Sequence, residues 1–86
     1  MPIILTARFE KAFKALGKPV QRKVLRTLRL LDENPRHPSL HVKPVQGTRG
    51  IWEARVDLQY RMTFERERET IIMRNVDNHD EYLRKP

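Results

Sequence analysis

The spacing of the apolar residues changes once along the chain, close to Asn34 and Pro35, and this change limits the available folds. Before it, Phe9, Ala12 and Phe13 recur at intervals of three and four residues, as on one face of a helix. After it, apolar and polar residues alternate, which is typical of strands with one buried face. Helices in the first half and strands in the second predict an α+β fold.

The first half predicts two short helices joined as a hairpin. Thr6 is a candidate N-cap of the first helix, and Gly17 is a candidate C-terminal stop. Pro19 suits the first turn of the second helix, which is expected to end at Asn34 and Pro35. Each helix has one apolar side, so the hairpin needs a surface to cover. The apolar stripe of the second helix consists of Val20, Val24, Leu28 and Leu31.

The second half supplies that surface as predicted strands over residues 40–43, 51–56, 60–65 and 70–76, and residues 3–5 form a short β-rich start. The short connections favour antiparallel neighbours. We therefore expect residues 1–86 to form a single α+β domain. In it, a two-helix hairpin packs on a twisted, mainly antiparallel sheet of four to five strands.

Alternation along these strands gathers basic side chains on the sheet face that points away from the hairpin. Close like charges repel, so this arrangement costs stability unless Glu53 and Glu65 neutralise it or a polyanion binds. We interpret this polar face as a candidate ligand-binding surface. Its expected basic members are His41, Lys43, Arg55, Arg61 and Arg74.

The charge balance favours an anionic partner. The chain has 18 Lys and Arg against 11 Asp and Glu, for a formal charge of +7. Residues 1–50 hold 11 of the basic side chains and 3 of the acidic ones, so the surplus lies in the first half. Nucleic acid, the ribosome and an acidic protein all fit such a surface.

Size and residue types exclude several classes of function. A chain of 86 residues has room for one thin core, which excludes enzymes with large pockets and predicts no cofactor. There is no cysteine, and the three histidines lack metal-ligand spacing, so we expect no metal site. The longest apolar run, Ile3–Leu5, is far too short for a membrane span, and the lack of cysteine fits a reducing compartment. We therefore expect a cytoplasmic protein.

His79 and Tyr82 follow the last predicted strand and would share one side of a helical turn. A histidine can donate and accept a proton near neutral pH, and a tyrosine ring can stack on an unpaired base. The alternative is a surface turn capped by Asp77 or Asn78, with His79 simply exposed.

Four stretches, at residues 34–40, 50–56, 59–64 and 79–82, follow a basic helical hairpin in an order that resembles the RelE/ParE toxin superfamily. The resemblance covers nearly the whole chain. It implies a RelE-like fold and the toxin of a type II toxin–antitoxin pair, neutralised by an acidic antitoxin. For the RelE branch it implies a ribosome-dependent, metal-independent endoribonuclease. Such a toxin cuts messenger RNA in the A site, where the ribose 2′-OH attacks the adjacent phosphate, and so inhibits translation.

The resemblance also implies catalytic roles. Arg61 matches the arginine of the family's aromatic-Arg strand and is the candidate for stabilising charge on the phosphate, with Arg55 second. His79 is the candidate general acid, and Tyr82 is the stacking or orienting aromatic. We expect Arg61 on an open polar face, where its truncation should cost little stability.

Lys43 is a candidate for the general base, with His41 as the alternative. Other basic residues are expected to bind RNA without taking part in the chemistry, and those on the second helix should contact ribosomal RNA phosphates. These RNA-binding candidates are His41, Arg74, Arg22, Lys23, Arg26 and Arg29.

Two other classes of function stay open. Members of the ParE branch share the fold, bind DNA gyrase and typically lack the terminal catalytic pair, so His79 and Tyr82 favour the RelE branch. The other alternative is a basic RNA- or protein-binding module without activity.

Overall fold

Each half of the chain folds largely as its apolar spacing predicts. The structure is a computed structural model and describes residues 1–78 and residue 86. It contains two α-helices, one short 3₁₀ turn and five strands. In chain order they are β1 (Ile3–Leu5), α1 (Ala7–Lys14), α2 (Lys18–Glu33), the 3₁₀ turn (Pro38–Leu40), β2 (Lys43–Pro44), β3 (Ile51–Arg55), β4 (Tyr60–Glu67) and β5 (Thr70–Asn78).

The five strands form one sheet in the order β1-β5-β4-β3-β2. The pairs β2/β3, β3/β4 and β4/β5 are antiparallel, as short connections require, whereas β1 runs parallel to β5. The sheet is therefore mixed and mostly antiparallel, and the predicted α+β class is confirmed.

The helix ends match the sequence at three positions and differ at one. The Thr6 hydroxyl accepts the Phe9 N–H at 3.2 Å and caps α1, Pro19 lies in the first turn of α2, and Asn34 caps its C-terminus. The prediction that Gly17 stops α1 is wrong. Ala15 caps the C-terminus of α1 in a right-handed conformation. Gly17 has φ −64° and precedes α2, so this turn needs no left-handed residue.

The predicted strand over 40–43 is also wrong. Residues Pro38–Leu40 form the 3₁₀ turn, His41 adopts a left-handed φ of 46°, and only Lys43–Pro44 pair with β3. The backbone hydrogen bonds explain the difference, because the Leu40 and His41 N–H groups donate to the His37 and Pro38 carbonyls instead of to a neighbouring strand. Leu40 is still buried in the core, as the predicted strand also required, but His41 leaves the polar face and lines a cleft beside Trp52.

The core lies between the helical hairpin and one face of the sheet. The opposite face, called the polar face below, carries mostly polar side chains. Within the described residues, neither helix is long and apolar enough to cross a membrane. The buried apolar residues of this cluster are Phe9, Val24, Leu31, Leu40, Ala54, Val56, Met62, Phe64, Ile71, Met73 and Val76.

Candidate functional site

A row of polar side chains crosses four strands of the polar face. Lys43 on β2 is opposite Glu53 on β3, which is opposite Thr63 on β4, which is opposite Asn75 on β5. Side chains directly opposite one another on neighbouring strands lie within contact distance. Glu53, Thr63 and Asn75 are buried, whereas Lys43 is exposed. One end of the row, at the edge strand β2, is therefore exposed to solvent.

Glu53 is the central acidic group of this face. Its side chain is 6% exposed, with Oε1 3.8 Å from Lys43 Nζ and Oε2 3.5 Å from Arg61 Nε. A buried carboxylate is tolerated when cations compensate it, and here two cations do. Glu53 thus neutralises part of the basic face, which is one of the two ways of offsetting the repulsion that the sequence leaves open. The sequence identifies Glu53 only as a counter-charge and does not show its position between two candidate catalytic residues.

Arg61 is held from several directions. Besides its contact with Glu53, its Nη1 donates to the Tyr60 carbonyl at 3.0 Å and to the Asp57 carbonyl. The whole residue is 7% exposed. The expectation that Arg61 could be truncated at little cost in stability is therefore wrong, because truncation would strand a buried carboxylate and two carbonyls. Its role at the phosphate stays a prediction.

Arg55 lies directly opposite Arg61 in the adjoining row. It is half-buried, and its buried Nε has no hydrogen-bond partner among residues 1–78 and 86. No ion pair joins Arg55 to any described carboxylate. A buried donor without a partner is costly, so this guanidinium is the one on the polar face best prepared to bind an added anion.

Arg74 lies where the pairing of β4 and β5 shifts register, between Thr63 and Phe64. Its Nη1 donates to Glu65 Oε2 at 3.1 Å, so Glu65 also neutralises the face as expected. Arg74 Nε and the Thr63 hydroxyl both donate to the Pro86 carbonyl oxygen at 3.3 Å. Arg8 Nη1 donates to the same oxygen at 3.4 Å, so three donors converge on it, an arrangement that suits an oxygen-rich ligand.

The basic side chains predicted on α2 are exposed. Lys23 differs from the three arginines because its Nζ donates to Asp57 Oδ2 at 3.1 Å. Burial raises the pKa of Asp57, but the Tyr60 and Gln59 N–H groups and the Lys23 ammonium outweigh it and hold this pKa below its ordinary value. The charge of Lys23 is thus partly engaged, whereas no ion pair engages Arg22, Arg26 and Arg29 within the described part of the chain.

The structure brings together only some of the predicted site residues. Lys43, Arg55, Arg61 and Arg74 share the polar face, and His41 lies away from it. His79 and Tyr82 lie outside the described residues, so their roles stay predictions. Over residues 1–78 and 86, no three His, Asp or Glu side chains are grouped in a way that could hold a metal ion.

Solved structures share this fold. YafQ of E. coli aligns with a TM-score of 0.78 at 18% identity, over 93% of this chain and 94% of YafQ. The YoeB/ParE toxin from Agrobacterium tumefaciens gives 0.73 at 14% identity, over 92% and 99%. A chain of the archaeal RelE–RelB complex from Pyrococcus horikoshii gives 0.72 at 20% identity, over 90% and 92%. No protein-family sequence profile and no curated protein sequence matches. The RelE-like fold predicted from the sequence is confirmed.

Proposed function

We propose that this chain, whose fold is that of the RelE/ParE toxin superfamily, is the toxin of a type II toxin–antitoxin pair. Its activity is ribosome-dependent cleavage of messenger RNA in the A site, which places it in the cytoplasm. The observation that carries the proposal is the polar face, where Lys43 and Arg61 contact the buried Glu53 carboxylate and Arg55 lies opposite Arg61. This face offers a phosphate the Arg55 guanidinium, which has no ion-pair partner among the described residues, next to a second guanidinium that is fixed in place.

The reaction requires three groups. A base removes the proton from the ribose 2′-OH, the 2′ oxygen bonds to the adjacent phosphorus, and the bond from phosphorus to the 5′ oxygen breaks. The products are a 2′,3′-cyclic phosphate and a 5′-hydroxyl, whose oxygen receives a proton from an acid. Cations stabilise the additional negative charge on the phosphate in between.

Arg55 and Arg61 divide the work of charge stabilisation. Arg55, whose Nε has no hydrogen-bond partner in the described part of the chain, takes the first phosphate oxygen. Arg61 uses Nη1 for two carbonyls and Nε for Glu53, which leaves its Nη2 hydrogens to meet a second oxygen. Glu53 acts as a positioning residue, since it holds Arg61 in a fixed orientation. A planar guanidinium held in this way needs little reorganisation when charge develops.

The remaining roles follow from position. Of the two candidate bases, only Lys43 lies on the polar face, so we assign it the 2′-OH proton. It is paired with Glu53 as an ammonium, so it must first lose a proton to solvent and then accepts that of the 2′-OH in its neutral form. We assign His79 as the acid and Tyr82 as the aromatic that stacks on a base, from the resemblance alone. Arg74, whose Nε donates to the Pro86 oxygen beside the Thr63 hydroxyl, binds the RNA backbone.

The antitoxin partner has a suitable groove on the other side of the molecule. Leu5, Phe13, Leu25 and Leu28 line an apolar groove between β1 and the two helices, and Leu25 is 55% exposed. Arg29 borders the adjoining groove. An acidic antitoxin helix would place its apolar side in the groove and its carboxylates on the arginines of α2, covering the surface that meets ribosomal RNA. The RelE–RelB complex among the similar structures supports a partner of this kind.

The test is a translation extract, with and without the purified protein, followed by primer extension on the message. The expected result is cutting within codons. Arg55→Ala and His79→Ala should each lower the cleavage rate by about 100-fold or more, the range for losing one such group. Arg49→Ala, at an exposed loop residue, is the matched control and should cleave like the wild type.

Two other outcomes would refute the proposal. Intact message together with inhibited DNA supercoiling would indicate the gyrase-binding function of the ParE branch. Intact message with normal supercoiling would indicate a basic RNA- or protein-binding module without activity.

A further inference from the structure

An open cleft of about 380 Å³ lies on the side of the sheet opposite the polar face. Trp52 and Arg66 belong to the helix-facing side, because Trp52 is opposite the core residue Phe64 and Arg66 is two residues further along β4. The loop before β2 forms the other wall. The residues that matter to its chemistry are Arg36, His37, His41, Val42, Trp52 and Arg66.

The cleft combines positive charge with an aromatic wall. Arg66 Cζ lies 5.2 Å from the centroid of the Trp52 ring, which is a cation–π contact. Arg36 and Arg66 are exposed and form no ion pair with a described carboxylate. None of the described residues lining the cleft is acidic. An anion would therefore meet two uncompensated guanidinium groups.

The loop that carries the histidines is held in a defined conformation. His37 Nδ1 accepts the Ser39 N–H at 3.2 Å, so the ring presents an N–H donor from Nε2. His41 has a left-handed φ of 46°, fixed by its N–H donating to the Pro38 carbonyl at 3.2 Å. A left-handed conformation costs free energy in a residue other than glycine, and conformations of this kind concentrate at binding sites.

We propose that this cleft binds one nucleotide of single-stranded RNA, with the base stacked on the Trp52–Arg66 pair and the phosphate on Arg36. Aromatic rings and guanidinium planes are the surfaces on which proteins stack unpaired bases. Pockets for small ligands begin at about 300 Å³, so a single nucleotide suits the volume. An acidic peptide would use the charge but not the aromatic wall, and RNA therefore fits better.

The cleft adjoins the polar face at the edge of the sheet. Val42 lines the cleft, and the next residue, Lys43, pairs with Glu53 on the polar face. The edge strand between them is only two residues long. A message lying on the polar face can therefore pass around this edge into the cleft. The choice of RNA as the ligand rests on the proposed function.

The test uses the full-length protein and a uridine hexanucleotide. Trp52 is the only tryptophan, so its fluorescence reports on the cleft, and anisotropy of the labelled RNA gives the dissociation constant. Arg66→Gln should weaken binding about tenfold by removing the stacking plane. Arg36→Gln should weaken it similarly and reduce the slope of log K against log salt by about 0.7, the value for one phosphate on a single strand. Arg49→Gln is the control and should bind like the wild type.

Three outcomes overturn the inference. RNA could leave Trp52 fluorescence unchanged, or the Arg36→Gln and Arg66→Gln proteins could bind RNA like the Arg49→Gln protein. A polyglutamate peptide that displaces the RNA and binds more tightly would assign the cleft to an acidic peptide instead. All three arginines are exposed, so melting curves should show that each variant folds.

The same variants separate this inference from the proposed function. RNA binding that depends on Arg36 and Arg66 without any cleavage in the extract would support the cleft and refute the nuclease. Cleavage and RNA binding that are the same in the cleft variants and the Arg49→Gln control would support the nuclease and refute the cleft.

Discussion

The buried pair of Arg61 and Glu53 leads to the strongest prediction about stability. Arg61→Ala removes the guanidinium that contacts Glu53 Oε2 and donates to the Tyr60 and Asp57 carbonyls. Both side chains of the pair are nearly inaccessible to water, at 9% and 6% exposed. The substitution therefore leaves a carboxylate in a poorly hydrated position, without its closest cation.

The size of the effect follows from these contacts. Breaking a buried ion pair by removing one partner costs about 3–5 kcal/mol. Lys43 remains 3.8 Å from the other Glu53 oxygen and keeps part of the compensation, so we expect a loss of about 2–4 kcal/mol. A domain of this size loses about 4–8 °C in melting temperature per kcal/mol, which gives a decrease of roughly 8–32 °C.

A double-mutant cycle measures the pair itself. We compare Arg61→Met, Glu53→Gln and the double variant in urea unfolding followed by circular dichroism, with Arg49→Ala as an exposed control. The double variant has neither buried charge, so its free energy of unfolding should fall by less than the sum of the single losses. The expected coupling is about 1–3 kcal/mol.

Two results would contradict this reasoning. One is an Arg61→Ala protein whose unfolding free energy lies within about 0.5 kcal/mol of the wild-type value, the range of surface substitutions. The other is a cycle in which the stability losses of the two single variants add up to the loss of the double variant. Either result would mean that Arg61 is solvated and unpaired, with its whole guanidinium available to phosphate. Cleavage assays of Arg61 variants must therefore be run at temperatures where the melting curve shows a folded protein.

Three further predictions concern charge elsewhere in the molecule. Asp57→Asn should lower stability by about 1 kcal/mol at neutral pH. Because folding lowers the pKa of Asp57, this difference should fade as acid titrates the wild-type carboxyl, and a pH-independent difference in melting temperature would refute it. The double variant Arg22→Glu/Arg26→Glu should weaken ribosome binding at least about tenfold, while single-turnover cleavage on saturating ribosomes is unchanged. If the cleavage rate fell as much as ribosome binding, α2 would belong to the active site. The association rate with the antitoxin, measured by stopped flow, should fall as salt rises, and a constant rate would exclude electrostatic steering.

The regular elements could be predicted because each is amphipathic over several turns or residues. The apolar stripe of α2 and the alternation of apolar and polar residues in β3 and β4 both indicate which side chains enter the core. Residues 38–43 carry the same alternation of apolar and polar residues, yet most of them form a turn and a loop. There the 3₁₀ turn that begins at Pro38 decides the backbone, and because Leu40 is buried in a turn as it would be in a strand, a spacing of two residues cannot distinguish the two.

The sequence predicts which residues belong to the candidate site but not which of them contact one another. Alternation placed Glu53, Arg55 and Arg61 on one face because side chains in a strand alternate strictly. The sequence could not show that Arg61 is buried, since this depends on the turn before β4, which brings the Asp57 carbonyl to its Nη1. It also could not show which cation lacks a partner, because that depends on the register of β2, β3 and β4 together.

The contacts of Glu53 divide the cations of the polar face into those that pair with it and those that do not. Glu53 neutralises Arg61 and Lys43 in part, so these side chains are held in place before any ligand arrives. Arg55 has no such partner among the carboxylates that the structure describes, so its charge is not compensated by them. A phosphate therefore gains most from Arg55, because that contact satisfies a buried donor, and gains orientation from Arg61, because that guanidinium is already fixed. Loss of Glu53 would free Arg61 to move and leave a second buried cation without a partner. We therefore expect the geometry of the phosphate site and the stability of the sheet to depend on the same carboxylate.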